Sequence, residues 1–111
     1  MADILTTVAR TEKVSTGVEA PKKVADALSK GGRALTGGKA LQGQFFEPTV
    51  MADASADMLC AKEETFGPFA PVFKFTTEQE AIDAANNTEF GLASYFYRRD
   101  VGRIFRVSEA L

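Results

Sequence analysis

The sequence predicts a single α/β unit. Stretches with apolar residues at helical spacing alternate with short strand-like runs, clusters of glycine, proline and asparagine separate them, and no internal repeat or low-complexity tract interrupts the order. With 111 residues, of which 45% are hydrophobic and 25% charged, the chain has the composition of one globular domain that packs a core.

Residues 1–17 mix alanine, threonine and charge without a sustained period, which leaves a short helix over residues 4–10 or a frayed end. From Pro21 a helix is expected, because proline suits a first turn, Val24, Ala27 and Leu28 fall on one face, and Gly31-Gly32 stops it. An earlier start through a Thr16 to Glu19 capping box conflicts with Pro21, whose missing N–H would then lie inside the helix. Residues 33–36 read as a strand closed by Gly37-Gly38. Residues 45–51 read as a second, where Pro48 implies an edge strand or a bulge. Residues 52–69 form a long irregular connection broken at Gly67-Pro68, and connections of that length are more often functional than idle.

Beyond it, residues 71–75 read as a strand. Thr77-Glu-Gln-Glu80 has the form of a capping box opening a helix with Ala81, Ile82 and Ala85 inward, stopped by Asn86-Asn87. Residues 92–98 follow as a strand whose Tyr95, Phe96 and Tyr97 suit a sheet covered on both faces. Asp100 is the expected N-cap of a last helix with Val101, Ile104, Phe105, Ser108 and Leu111 on its apolar face, and no stop signal follows it.

The chain contains no histidine, which excludes a self-contained Ser-His-Asp triad or a histidine metal site, and no metal ligands are assigned. A net charge of −2 gives no reason to expect nucleic acid or a membrane as partner. The single cysteine, Cys60, forms no internal disulfide. Neither a secretory leader nor an apolar run of bilayer length is recognisable, so the expected location is the cytoplasm.

Lys62-Glu-Glu-Thr-Phe-Gly-Pro68 carries the most chemistry. Adjacent carboxylates at Glu63 and Glu64 repel unless they face different surroundings, and Gly67-Pro68 forces a turn just after Phe66. A carboxylate accepts two hydrogen bonds, which suits a vicinal diol such as a ribose, and a nearby aromatic face can wall a flat heterocycle. The same residues also fit a solvated acidic pair on a turn with Phe66 filling the core.

This segment resembles the Glu-Glu-(Ile/Thr)-Phe-Gly-Pro signature of NAD(P)-dependent aldehyde dehydrogenases. Its neighbours match in order: Ala27-Leu-Ser-Lys-Gly-Gly32, Thr36-Gly-Gly38, Phe45-Phe-Glu-Pro-Thr-Val50 and Ala85-Asn-Asn-Thr-Glu-Phe-Gly-Leu-Ala93. Tyr95-Phe-Tyr-Arg-Arg-Asp100 with Arg103-Ile-Phe-Arg-Val107 is similar to the succinate-semialdehyde dehydrogenase branch. The resemblance implies that residues 18–111 are part of the family's catalytic domain: a mainly parallel sheet with flanking helices and a short edge-strand pair, facing a Rossmann-type cofactor domain. Residues 1–17 match poorly. It further implies that Glu64 holds the nicotinamide ribose hydroxyls, that Phe66 packs beside the nicotinamide, and that Leu92 lies where relatives approach that region, the other reading of Leu92 being a buried strand-start leucine. Glu63 is expected to be solvated or salt-bridged.

In the family a cysteine thiolate adds to the aldehyde, hydride passes to NAD or NADP, and a glutamate-activated water releases the acid. The segments carrying that cysteine, that glutamate and the dinucleotide-phosphate motifs lie upstream of those matched here, so no residue of this chain is expected to be catalytic. Cys60 reads as a partly buried, inert thiol. The chain is therefore expected to position cofactor within an intact enzyme and to be inactive alone, or else to act as a non-catalytic module. Apolar faces at Phe45-Phe46 and residues 95–97 lead to an expected homo-oligomer.

Overall fold

A computed structural model describes residues 19–91 and 93–111. Two expectations, the helix over residues 4–10 and the alternative cap at Thr16, lie outside the described residues, as does Leu92. The element order is α1 (Glu19–Ser29), β1 (Arg33–Thr36), β2 (Thr49–Ala54), α2 (Leu59–Lys62), β3 (Phe69–Phe73), α3 (Glu78–Asn86) and α4 (Val101–Ala110). These elements fall into two compact units, one ending at Phe73 and one comprising Lys74–Leu111.

In the first unit, α1 buries Ala20, Lys23, Val24 and Ala27, which recur at i, i+3, i+4 and i+7, while Leu28 is exposed. The helix starts at Glu19 with Pro21 in its first turn. It ends at the two glycines: Gly32 N–H donates to the Ala27 carbonyl (2.8 Å) and Gly31 N–H to the Leu28 carbonyl (3.3 Å), the paired bonds of a Schellman stop. The sheet order is β1-β2-β3, with β1 antiparallel and β2·β3 parallel. The antiparallel pair answers to the short edge-strand pair that the resemblance implies, with β1 at the edge; β2, expected at an edge because of Pro48, is instead the central strand, and a bulge between Ala34 and Thr36 interrupts the pair. A second irregularity, between Met51 and Ala54, contains Asp53 at φ 58°. Val24, Ala27, Met51, Met58 and Phe69 form the core, with Ala34, Phe46, Ala54 and Cys60 packed around it.

Three boundaries differ from the sequence reading. The second strand does not span 45–51 but starts after Pro48 and continues to Ala54. Pro48 has no N–H to offer, so the ladder begins at Thr49, whose N–H donates to the Pro68 carbonyl (2.8 Å); Phe46 makes only an isolated bridge to Ala40, and Phe45 is exposed. The 52–69 connection is correspondingly shorter and contains α2. The third strand is Phe69–Phe73 instead of 71–75, because pairing of Thr49 with Phe69 sets its parallel register.

In the second unit, Thr77 caps α3 by accepting from the Glu80 N–H (3.2 Å), while the Glu80 carboxylate accepts from the Thr76 N–H (2.8 Å). The capping box is thus present with its return bond displaced by one residue. Ile82 is buried, and Ala81 and Ala85 are half-buried. Asp100 caps α4 through the Arg103 N–H (2.8 Å).

The expected inner face of α4 is corrected: Val107 is its buried residue, and Val101 and Phe105 are exposed. Charge decides the rotation. Glu78 of α3 accepts two hydrogen bonds from Arg106 (2.7 and 3.1 Å) and pairs with Arg103 Nε at 2.6 Å, while the Asn86 side chain donates to the Ala110 carbonyl (2.7 Å). Residues 93–98 are not a strand. Their aromatic content favours extended backbone, but among the described residues no strand pairs with them, and a strand exists only through its ladder. Tyr95 and Tyr97 are exposed.

Candidate functional site

The loop 63–68 lies in the crossover from β2 to β3 and is fixed at both ends. At its start the Glu63 N–H donates to the Leu59 carbonyl (2.9 Å), closing α2. At its far end the Pro68 carbonyl accepts from Thr49, the first residue of β2. Gly67 passes so near α1 that a Cβ there would come within 3.1 Å of the Ala20 methyl, and its φ of +143° disfavours any side chain.

The loop is held from α1 by Lys23, and the turn of chain before it, from Asp57 to α2, is held by Asp26 of α1 and by Lys30 just beyond the helix. Lys23 is 3% exposed. Its ammonium donates to the Glu64 carbonyl (2.5 Å) and the Glu63 carbonyl (3.5 Å) and lies 3.8 Å from Glu63 Oε2. Burying an unpaired ammonium costs several kcal/mol. Here it is met by two carbonyl acceptors and one nearby carboxylate charge. Asp26 accepts from the Leu59 N–H (2.8 Å) and so caps α2 from another helix, since Met58 supplies no side-chain cap. Lys30 lies 2.9 Å from Asp26 Oδ1 and donates to the Asp57 carbonyl (2.7 Å).

The Leu59 N–H, followed by Lys30, holds the Asp26 carboxyl below the usual aspartate range, and Asp26 in turn raises Lys30. A carboxyl lowered by folding contributes stability that is complete above its unfolded value, about pH 4, and lost as pH falls through its folded value. Asp57, Glu78 and Asp100 are lowered as well, by Ser55, Arg106 and the Arg103 N–H respectively. Lys30 has the opposite sign, contributing fully until pH rises through its already alkaline range. Denaturant midpoints are therefore expected to be flat from about pH 5 to 8 and to fall below about pH 4. Asp26→Asn should make that acid fall shallower; an unchanged acid limb in this variant would remove Asp26 from the account.

Glu64 and Phe66 both stand exposed on this pinned loop, Phe66 at 46%. Phe66 therefore does not fill the core; Phe69, three residues on, does. Glu63 is salt-bridged to Lys23, one of its two expected states. Burial, then the nearby Asp26 charge, pushes the half-buried Cys60 thiol up, away from the thiolate a nucleophile needs. Among the described residues no group of three or more histidine, cysteine or acidic side chains could hold a metal ion, and no helix is long and apolar enough to cross a membrane.

Lys23 and Thr49, which hold the loop, and Asp26, which caps the helix before it, were not singled out by the sequence reading. For Lys23 a signal exists: it falls at i+3 from Ala20 and i−4 from Ala27, on the apolar stripe of α1, where a cation needs acceptors. The arrangement offers one carboxylate and one aromatic ring on a backbone that is already ordered.

Comparison with known proteins supplies the family. The sequence profile of the aldehyde dehydrogenase family matches residues 12–111. Glutarate-semialdehyde dehydrogenase of Pseudomonas putida is 58% identical over 79% of this chain and 18% of its own length. The NADP(+) succinate-semialdehyde dehydrogenase of Escherichia coli is 54% identical over 90% of this chain and 21% of its own. A crystal structure of succinate-semialdehyde dehydrogenase from Burkholderia pseudomallei superposes with a TM-score of 0.78 at 55% identity, covering 86% of this chain and 21% of that one. The chain thus spans about a fifth of the length of the relatives it matches. With the ordered motifs, the α/β architecture and these matches in agreement, the chain belongs to the aldehyde dehydrogenase family.

Proposed function

We propose that residues 18–111 are part of the catalytic domain of an NAD(P)-dependent aldehyde dehydrogenase, and that the loop 63–68 holds the nicotinamide ribose there. Glu64 would accept hydrogen bonds from the ribose hydroxyls, and Phe66 would pack against the nicotinamide side. The bound cofactor supplies the hydride acceptor. What this chain contributes is orientation: a fixed carboxylate limits how the riboside sits and so which of its atoms meets the substrate. Pinning of the loop at both ends, with Glu64 and Phe66 left outward, carries this reading.

The substrate class we infer is a short aldehyde with a distal carboxylate, since two of the relatives above are named for glutarate and succinate semialdehydes. By itself the chain should not turn over. Its one cysteine is Cys60, whose thiol is pushed up by burial, and a thiol held protonated is a poor nucleophile.

The test replaces the matching segment of the Escherichia coli relative with residues 19–111 of this chain. The chimera should oxidise succinic semialdehyde, and Glu64→Gln in it should lower kcat/KM by roughly 10- to 100-fold, the equivalent of one hydrogen bond to a charged group. Full activity in the Glu64→Gln chimera would sink the assignment.

A further inference from the structure

Outside the outward-facing pair, the feature that calls for a function is Lys23. A lysine side chain 3% exposed, in a small unit with few buried residues, is costly, and a well-packed apolar side chain of similar length would serve stability as well or better. Its acceptors are specific. They are the carbonyl oxygens of Glu63 and Glu64, with the Glu63 carboxylate 3.8 Å away as the paired charge. The peptides before and after Glu64 are thereby anchored, immediately beneath the side chain assigned to the ribose.

Glu63 and Glu64 are adjacent carboxylates, both exposed, of which Glu63 lies within 3.8 Å of the Lys23 ammonium. The Glu63 side chain is drawn towards the ammonium, while the Glu64 backbone is drawn in and its side chain stays outside. Here the Glu63 and Glu64 carbonyls turn to the same ammonium, so the backbone on either side of the Glu64 Cα is fixed and with it the direction in which the exposed Glu64 side chain leaves the chain.

We propose that Lys23 is a positioning residue for Glu64, acting through the peptide it clamps, and that its charge is retained for cofactor binding instead of stability. This rests on the ribose-holding role of Glu64. The prediction has a local and a functional arm. In the chain itself, Lys23→Met should speed native-state amide exchange at residues 63–66 by about tenfold, the scale of one charged hydrogen bond, while exchange across the β2·β3 ladder stays unchanged. Lys23→Gln, which keeps a donor, should lie between and serves if the methionine variant does not fold.

In the chimera, Lys23→Met should lower kcat/KM for the cofactor by about tenfold, and Lys23→Met with Glu64→Gln should be no worse than Glu64→Gln alone. A residue that merely stabilises the fold would give additive losses. Additive losses, or exchange at 63–66 that matches the parent chain, overturn the proposal. A silent Glu64→Gln alongside faster local exchange would instead overturn the ribose reading on which it rests.

Discussion

Gly37→Ala is expected to destabilise the first unit by about 4 kcal/mol, at the upper end of single substitutions. Gly37 has φ +72°, and a Cβ there would overlap the Pro48 carbonyl oxygen and lie 2.8 Å from both the Pro48 carbonyl carbon and Thr49 Oγ1. These are backbone and buried atoms with no room to yield. Thr49 Oγ1 accepts from the Gly38 N–H (2.7 Å) and donates to the Glu47 carbonyl (2.8 Å), and Thr49 is only 2% exposed. Left-handed backbone alone costs an alanine about 1–2 kcal/mol. Disrupting a buried hydrogen bond adds about 1–3 kcal/mol.

Gly43→Ala separates the two contributions, since Gly43 has nearly the same φ, +74°, with nothing within 4 Å of a Cβ. It should cost only the handedness, about 1–2 kcal/mol. Urea unfolding of both variants measures the difference, and equal losses would show that the close approach at Pro48 carries no weight.

Met51→Ala should cost about 2–5 kcal/mol, the range for truncating a fully buried side chain. Met51 is 0% exposed on the central strand and belongs to the cluster of Val24, Ala27, Met58 and Phe69, with its sulfur 3.1 Å from where a Cβ on Gly32 would stand. Nothing nearby can collapse into the space without moving α1 from the sheet. Met51→Leu, which nearly conserves volume, should cost less than about 1.5 kcal/mol. Leu35→Ala, at a site 56% exposed on β1, should change stability by less than about 0.5 kcal/mol. A Met51→Ala midpoint within error of Leu35→Ala would mean that the core is centred elsewhere.

Elements whose signals are local were legible in the sequence. The Gly31-Gly32 stop, the Thr77 cap, the Asp100 cap and β1 over residues 33–36 all depend on neighbours within a few positions. Elements that depend on a distant partner were displaced. The start of β2 is set by Thr49 meeting Pro68, and the rotation of α4 is set by Glu78 of α3, neither of which periodicity encodes. The same division holds for the candidate site. Glu64 and Phe66 were readable from one contiguous motif, whereas the groups that hold their loop come from α1 and β2, at long sequence distance.

That distance has a consequence for the order in which the molecule assembles. Lys23 precedes the Glu64 carbonyl it binds by 41 residues, so the contact closes late, after the intervening chain has paid its loop entropy. Until then the buried stripe of α1 carries a bare ammonium. The helix resists docking on any apolar surface that lacks suitably placed carbonyls, and misassembled forms are disfavoured while the correct one waits for its crossover. A lysine buried on α1 is thus expected to select against misdocked forms while the chain folds.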